Sequence, residues 1–121
     1  MGSKFTWLII DAHDPDRLSR FWSQALDYEI DHDEDDDDLV GLRPKNGEGP
    51  GLAFAKVPDD KIVKNRLHID LNPTDCEQAE EVQRLLSLGA RKVDIGQGEV
   101  SWVVLADPEG NEFCVLRSRA D

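Results

Sequence analysis

An internal duplication constrains the fold of this chain more than any other feature of the sequence. Residues 8–11 are Leu-Ile-Ile-Asp, and residues 67–70, about sixty positions later, are Leu-His-Ile-Asp. Each segment resembles a strand and is followed by an amphipathic helix pattern and three further strand patterns. A single βαβββ unit covers one face of its sheet with its helix and leaves the other face bare. Two units must therefore pair, within one chain or between chains, to close a cup.

The first copy begins with a β-branched and aromatic strand pattern over residues 5–11. Asp14 is a good N-cap and Pro15 suits the first helical position, which predicts a helix that ends near residues 26–27. The apolar stripe of this helix consists of Leu18, Phe21, Trp22 and Ala25. The further predictions are strands at residues 28–31, 39–42 and 52–57, a loop at residues 44–51 and a polar linker at residues 59–64.

The second copy repeats this order. A strand is predicted at residues 66–71, and Thr74 with Glu77 forms a capping-box pattern at the start of the second helix. Gly89 is a natural helix stop. The apolar stripe of this helix consists of Ala79, Val82, Leu85 and Leu86. The remaining strands are predicted at residues 90–95, 101–106 and 112–117.

The predicted fold class is α+β, with two tandem βαβββ modules that form a cupped mixed β-sheet and carry their helices on the outer face. A length of 121 residues suits one domain, in which module 1 spans residues 4–58 and module 2 spans residues 64–118. Alternation along the strands places His68, Asp70, Glu112 and Cys114 on the cup side of module 2, and it places Trp7, Ile9 and Asp11 on the cup side of module 1.

Charge excludes several classes of partner. The chain has 26 acidic and 14 basic residues, a net charge of −12, which disfavours nucleic acid and anionic membranes. Seven of the carboxylates lie in residues 31–38, and this segment is predicted to be a solvated hairpin tip rather than a cation site. No apolar run approaches the length of a membrane span, and the N-terminus lacks a signal-peptide core, so a cytoplasmic location is expected. Cys76 and Cys114 are expected to be reduced, buried thiols.

Three stretches of the chain resemble the vicinal oxygen chelate superfamily, which includes glyoxalase I, extradiol dioxygenases, fosfomycin-resistance proteins and bleomycin-resistance proteins. They are residues 14–22 with the Phe21-Trp22 pair, residues 64–70, and residues 107–114 with the sequence Asp-Pro-Glu-Gly-Asn-Glu-Phe-Cys. These stretches resemble the small glyoxalase-like domain proteins common in actinobacteria. The resemblance implies a small-molecule ligand or substrate and a homodimer.

The resemblance also implies metal ligands. In metal-binding members of the superfamily, a His on the first strand of a module and a Glu on its last strand are ligands, and His68 and Glu112 occupy these positions in module 2. Imidazole and carboxylate suit a divalent Zn, Ni, Mn or Fe ion. Module 1 lacks matching ligands, because its candidates on the first strand are apolar and Gly51 or Leu52 stands where a Glu is expected. Asp11 is a candidate third ligand.

Alternatives remain for each of these residues. His68 and Glu112 either bind a metal or hydrogen-bond to each other, or they act without metal, with Glu112 or Asp70 as general base and His68 as its partner. Asp11, Asp70, Trp7 and Trp102 are candidate ligand-binding residues of the cup, although core or dimer burial explains the two tryptophans equally well.

Two functions therefore stay open from the sequence. The first is a divalent-metal-dependent lyase, isomerase or dioxygenase of glyoxalase type, with His68 and Glu112 as catalytic residues. The second is a metal-free protein that sequesters a ligand, similar to bleomycin-resistance proteins. The match of His68 and Glu112 to the ligand positions motivates the first, and the absent ligands of module 1 and the acidic charge motivate the second.

Overall fold

The computed structural model describes residues 1–32, 36 and 38–120. The chain forms two compact units, Met1–Asp60 (unit 1) and Lys61–Asp121 (unit 2). Within the described residues, neither helix is both long enough and apolar enough to cross a lipid bilayer.

Unit 1 is a four-stranded mixed sheet with one helix packed against it. Its elements are β1 (Trp7–Ala12), α1 (Pro15–Leu26), β2 (Tyr28–His32), β3 (Leu39–Pro44) and β4 (Gly51–Lys56). The strand order is β1-β4-β3-β2, in which β1 runs parallel to β4 and the other neighbours are antiparallel. This is one complete βαβββ module. The acidic tip predicted between β2 and β3 includes residues 33–35 and 37, which lie outside the described residues.

Helix α1 forms where local signals in the sequence predict it. The Asp14 side chain caps the helix by accepting a hydrogen bond from the backbone N–H of Arg17 at 3.2 Å. The helix ends at Asp27, which adopts the left-handed conformation. The predicted apolar stripe of this helix is buried. Its residues are Leu18, Phe21, Trp22 and Ala25. Full burial of each larger side chain in this stripe contributes about 1.5–3 kcal/mol.

Unit 2 repeats the topology of unit 1 with shorter strands. Its elements are β5 (Asp70–Leu71), α2 (Gln78–Leu88), β6 (Arg91–Lys92), β7 (Val103–Ala106) and β8 (Glu112–Val115). The order β5-β8-β7-β6, with β5 parallel to β8, is that of the first sheet. The predicted α+β fold with two tandem βαβββ modules is confirmed.

Some predictions for unit 2 are wrong in detail. The strand predicted at residues 66–71 is reduced to Asp70–Leu71, and the strand predicted at residues 90–95 is reduced to Arg91–Lys92. Leu67, which alternation assigned to the helix side, is 78% exposed. It lies before the ladder begins, so no neighbouring strand fixes the direction of its side chain.

The predicted capping box at the start of α2 is also wrong. The helix begins at Gln78, four residues after Thr74, and its N-cap Glu77 makes no capping hydrogen bond through its side chain. The segment before the helix is instead tied to the C-terminal segment: Arg119 Nε donates to the Thr74 carbonyl at 3.2 Å, and the backbone N–H of Ala120 donates to the Pro73 carbonyl at 2.9 Å. These bonds tie Thr74 and Pro73 to the C-terminal segment, ahead of the helix start.

The most specific stretch of the resemblance, residues 107–114, begins with a tight turn between β7 and β8. Asp107 is fully buried, and its Oδ1 accepts hydrogen bonds from the backbone N–H groups of Glu109 and Asn111 at 3.0 and 2.9 Å. Gly110 adopts φ 91°, a conformation that glycine tolerates best. These residues therefore act in the fold by fixing the turn that leads into β8.

Candidate functional site

The face of the unit 1 sheet that α1 does not cover carries a pocket of about 460 Å³. Neighbouring strands form its floor, because Ile9 pairs with Ala53 and Ala53 pairs with Gly41 in the sheet register. The lining residues are Trp7, Ile9, Asp31, His32, Leu39, Gly41 and Ala53. The pocket thus has an apolar floor with a carboxylate and an imidazole at one side.

Two glycines make room for the indole ring of Trp7 in this pocket. A Cβ atom at Gly51 would lie 2.5 Å from Trp7 Cζ3 and 2.6 Å from the carbonyl oxygen of Leu42, too close for any side chain. A Cβ atom at Gly41 would lie 3.3 Å from Trp7 Cη2. Gly51, one of the two residues that stand where a Glu is expected from the sequence, is therefore a position where the Trp7 ring leaves no room for a side chain.

Arg43 lies over the Trp7 ring. Its guanidinium carbon is 4.5 Å from the ring centroid, and its Nε donates to Asp31 Oδ2 at 2.9 Å. The Arg43 and Asp31 side chains are 58% and 54% exposed, so their ion pair adds little to stability. Arg43 therefore occupies a π face of Trp7 and pairs with the carboxylate beside it, which shows that this face suits a cation.

In unit 2, Glu112 is engaged by the segment that precedes β5. Lys61 Nζ donates to Oε1 at 2.6 Å, and the backbone N–H of Asn65 donates to Oε2 at 3.0 Å. Glu112 and Lys61 are only 9% and 19% exposed. Burial by itself raises the pKa of Glu112, but the hydrogen bonds from Lys61 and Asn65 outweigh it and hold this pKa below its usual value.

A second group in unit 2 contains His68, Asp70 and Cys114. One potential metal-ligand atom from each lies within 4.8 Å of the other two. Asp70 and Cys114 are direct register partners across β5 and β8. The pKa of Cys114 is raised, first by burial and then by the charge and the hydrogen bond of Asp70. The charge of Lys64 lowers this pKa by a smaller amount. Cys114 is therefore the protonated, buried thiol that the sequence predicts.

The remaining candidates lie apart from these groups. Asp11 is an exposed residue of unit 1, and Trp102 of unit 2 is 40% exposed just before β7. Neither belongs to the pocket or to the donor group around Cys114. Their role in ligand binding stays a prediction.

Sequence reasoning missed three residues that shape these sites: Lys61, Asn65 and Arg43. Lys61 and Asn65 lie at or beside the segment predicted to be a polar linker, 51 and 47 positions from Glu112. A signal existed for Lys61, since an inward-facing carboxylate needs a counter-charge, but the sequence offers several lysines and does not select one.

Each unit packs one helix against a mixed sheet, and the two sheets have the same strand order. These features define the class of small α+β proteins that are built from duplicated βαβββ modules. The family model described as "Glyoxalase-like domain" matches residues 7–116. The chain belongs to this glyoxalase-like domain family. Comparison with curated proteins finds no match.

Several solved structures share this fold. The fosfomycin resistance protein FosX from Listeria monocytogenes aligns with a TM-score of 0.73 and 16% identity, over 99% of this chain and 94% of that chain. A mutant of that protein, complexed with Mn(II) and 1S,2S-dihydroxypropylphosphonic acid, aligns with a TM-score of 0.72 and 15% identity over the same shares. A glyoxalase/bleomycin resistance protein/dioxygenase family enzyme from Burkholderia phytofirmans PsJN aligns with a TM-score of 0.69 and 16% identity, over 93% and 97%.

The ligand set that the superfamily resemblance implies would require Glu112 to give up its present partners. Both carboxylate oxygens of Glu112 already accept hydrogen bonds, and the Lys61 ammonium lies 2.6 Å from one of them. A metal ion bound to Glu112 would have to displace this cation. In unit 1, the apolar residue Trp7 and the glycine at position 51 occupy the region where ligands are expected. His68 and Glu112 are therefore not arranged as a ready pair of ligands.

Proposed function

We propose that this protein binds a small cationic molecule with an aromatic or apolar body in the unit 1 pocket, and that it sequesters the molecule without metal chemistry. The observation that carries the proposal is the pocket of about 460 Å³ floored by Trp7, with Asp31 at its side. This is the size range of small-molecule sites, which combine an apolar lining with a few polar groups.

The charge of the ligand follows from the surroundings of the pocket. Arg43 lies over the Trp7 ring and pairs with Asp31, and a cationic ligand that displaces this exposed side chain would make the same types of contact. Two residues that line the pocket, Asp31 and Leu39, lie at the ends of the acidic segment. Asp31 is the first residue of this segment, Leu39 follows its last residue, and seven carboxylates lie between residues 31 and 38. A negative potential from this segment would attract cations and repel anions.

Three probes of nearly the same shape test the charge preference: benzamidinium, benzamide and benzoate. Each is added at increasing concentration to the wild-type protein, and the melting temperature is measured at low and moderate salt. We expect benzamidinium to stabilise the protein most, with a smaller effect at higher salt, because a ligand that binds only the folded state stabilises it by mass action. Equal stabilisation by benzoate would contradict the proposal.

A matched pair of variants locates the binding. Trp7→Ala removes the floor of the pocket, and Trp102→Ala removes a tryptophan of unit 2 that lies outside it. We expect Trp7→Ala to abolish the benzamidinium effect and Trp102→Ala to retain it. The opposite pattern would move the site to unit 2.

A second proposal is the divalent-metal-dependent enzyme of lyase, isomerase or dioxygenase type, with His68 and Glu112 as catalytic residues and metal ligands. The donor group around His68 favours it, and the Mn(II) complex of FosX is a precedent in the same fold. It requires Glu112 to release Lys61. Lys61→Ala would then raise the affinity for Mn²⁺, and an added Glu112→Gln would cancel that gain. The first proposal expects neither change.

The homodimer, the cytoplasmic location and the actinobacterial type of this protein stay predictions. The exposed apolar side chains of Ile62, Val63 and Leu67 in unit 2 support the homodimer. Light scattering of the purified protein, with Ile62→Ser and Val63→Ser as variants, tests it. A monomer at micromolar concentration in the wild type would contradict it.

A further inference from the structure

The donor group in unit 2 is produced by the pairing of two parallel strands. The register sets Asp70 of β5 directly beside Cys114 of β8, and the backbone N–H of Cys114 donates to the Ile69 carbonyl at 2.9 Å. His68 lies two residues before Asp70, ahead of the ladder, and one of its ring nitrogens lies within 4.8 Å of the donor atoms of Asp70 and Cys114. The result is an imidazole, a carboxylate and a thiol in one place.

The three side chains differ in burial in a way that suits a metal site. Cys114 is 5% exposed, whereas His68 and Asp70 are exposed. The thiol is thus fixed by the strand, and the other two side chains have room to rotate. Within the described residues, no hydrogen bond or ion pair holds the His68 ring in another position.

The distances are close to those that a tetrahedral ion needs. With metal–donor bonds of about 2.0–2.3 Å, the donor atoms around such an ion are about 3.3–3.8 Å apart. The present donors lie within 4.8 Å of one another. Small rotations of the exposed His68 and Asp70 side chains are enough to close the difference, without movement of the strands.

The donor types select the metal. A thiolate is a soft ligand, and together with imidazole and carboxylate it suits Zn²⁺ or Co²⁺, whereas Mn²⁺ and Mg²⁺ prefer oxygen ligands. Three protein donors also leave one position of a tetrahedral ion open for water or another small ligand.

We propose that His68, Asp70 and Cys114 form a binding site for a borderline-soft divalent cation of the Zn²⁺ type, and that this site does not use Glu112. On binding, the Cys114 thiol gives up its proton to solvent and the thiolate sulfur bonds to the metal. The site is independent of the ligand pocket in unit 1, so failure of either proposal leaves the other standing.

Cobalt provides the direct test, because Co²⁺ bound to a thiolate shows a sulfur-to-metal charge-transfer band that oxygen and nitrogen ligands do not give. The reduced full-length protein is titrated with Co²⁺ under anaerobic conditions, and Zn²⁺ is then added to compete. We expect a saturable band in the wild type that Zn²⁺ abolishes and that Mn²⁺ at the same concentration leaves unchanged. A wild-type protein without this band would overturn the proposal.

Variants assign the donors. We expect Cys114→Ser to remove the band and to lower the Zn²⁺ affinity on the order of 100-fold, since even an outer-shell substitution costs about 10–100-fold. His68→Ala, at an exposed position, lowers the affinity to a similar extent and keeps the test valid if Cys114→Ser fails to fold. Cys76→Ser controls for the other thiol, and Glu112→Gln controls for the superfamily-type site; both should bind Zn²⁺ as the wild type does. Loss of the band in Cys76→Ser or loss of Zn²⁺ binding in Glu112→Gln would refute the assignment.

Discussion

Removal of the Lys61 ammonium should destabilise unit 2, because it leaves the Glu112 carboxylate without its counter-charge. Lys61→Met is the appropriate substitution, since it retains most of the apolar stem. Loss of one partner from a buried ion pair costs about 3–5 kcal/mol. Here the N–H of Asn65 still donates to Glu112, and 19% of the Lys61 side chain is already exposed. We therefore expect a loss of about 2–4 kcal/mol in the free energy of unfolding at pH 7.

The pH dependence of this loss follows from the pKa of Glu112. In the wild type this pKa lies below its unfolded value, so Glu112 contributes stability above the unfolded pKa of about 4.3, and the contribution disappears as the pH falls through the folded pKa. In Lys61→Met the hydrogen bond and charge of Lys61 no longer lower the pKa of Glu112, and only backbone hydrogen bonds oppose the effect of burial. This pKa is therefore higher than in the wild type, and protonation of Glu112 relieves part of the lost stability. The difference between the two proteins should be largest near neutral pH and should shrink below about pH 4.

Urea unfolding at several pH values measures both effects through the midpoint and slope of the transition. Lys64→Met is the matched control, as Lys64 is an exposed lysine of the same segment, and its effect should stay within about 0.5 kcal/mol. Two results would refute the assignment of Glu112 to a structural ion pair. One is a Lys61→Met variant as stable as the wild type at pH 7, and the other is a difference in unfolding free energy between the two proteins that grows as the pH falls.

Three further stability predictions use the same assay. Gly51→Ala should lower the free energy of unfolding by about 2–3 kcal/mol, because its Cβ atom would collide with both Trp7 and a carbonyl oxygen. Gly41→Ala should lower it by less than about 1 kcal/mol. Equal effects of the two substitutions would contradict the close approach of the Trp7 ring to Gly51. Asp107→Ala should lower the free energy of unfolding by about 2–4 kcal/mol, since it leaves two part-buried N–H groups of the β7–β8 turn without their acceptor. A neutral result would be evidence against that turn. Asp14→Ala should lower the free energy of unfolding by about 1 kcal/mol, because it removes the N-cap of α1. An unchanged free energy of unfolding would mean that this cap is weak in solution.

The fold was predictable from the sequence where the signals are local. Helix α1 has a capping Asp14, a proline at its first position and a single apolar stripe, all of which act within a few residues. The strand at residues 66–71 was overestimated because an alternating pattern does not show where the neighbouring strand ends. Thr74 has the chemistry of an N-cap, but the partners that hold it elsewhere lie 45 residues away.

The candidate sites were predictable only in part for the same reason. Alternation correctly assigned Asp70 and Cys114 to one face, but their direct pairing depends on the register of β5 with β8. The role of Gly51 was visible only as a missing ligand, and its physical cause, the ring of Trp7, depends on the approach of β1 to β4. Lys61 acts on Glu112 across 51 residues, a distance at which sequence patterns carry no information about contact.

The most direct test of the proposed function is the tryptophan indole N–H region of the NMR spectrum during titration with benzamidinium. The three tryptophans differ in environment: Trp7 lines the pocket, Trp22 lies on the buried face of α1, and Trp102 is 40% exposed in unit 2. Their signals are assigned by single Trp→Phe substitutions. Binding in the unit 1 pocket predicts a saturable shift of the Trp7 signal while the Trp22 and Trp102 signals stay in place. A saturable shift of Trp102 alone, or no shift of any indole at saturating benzamidinium, would contradict the proposal.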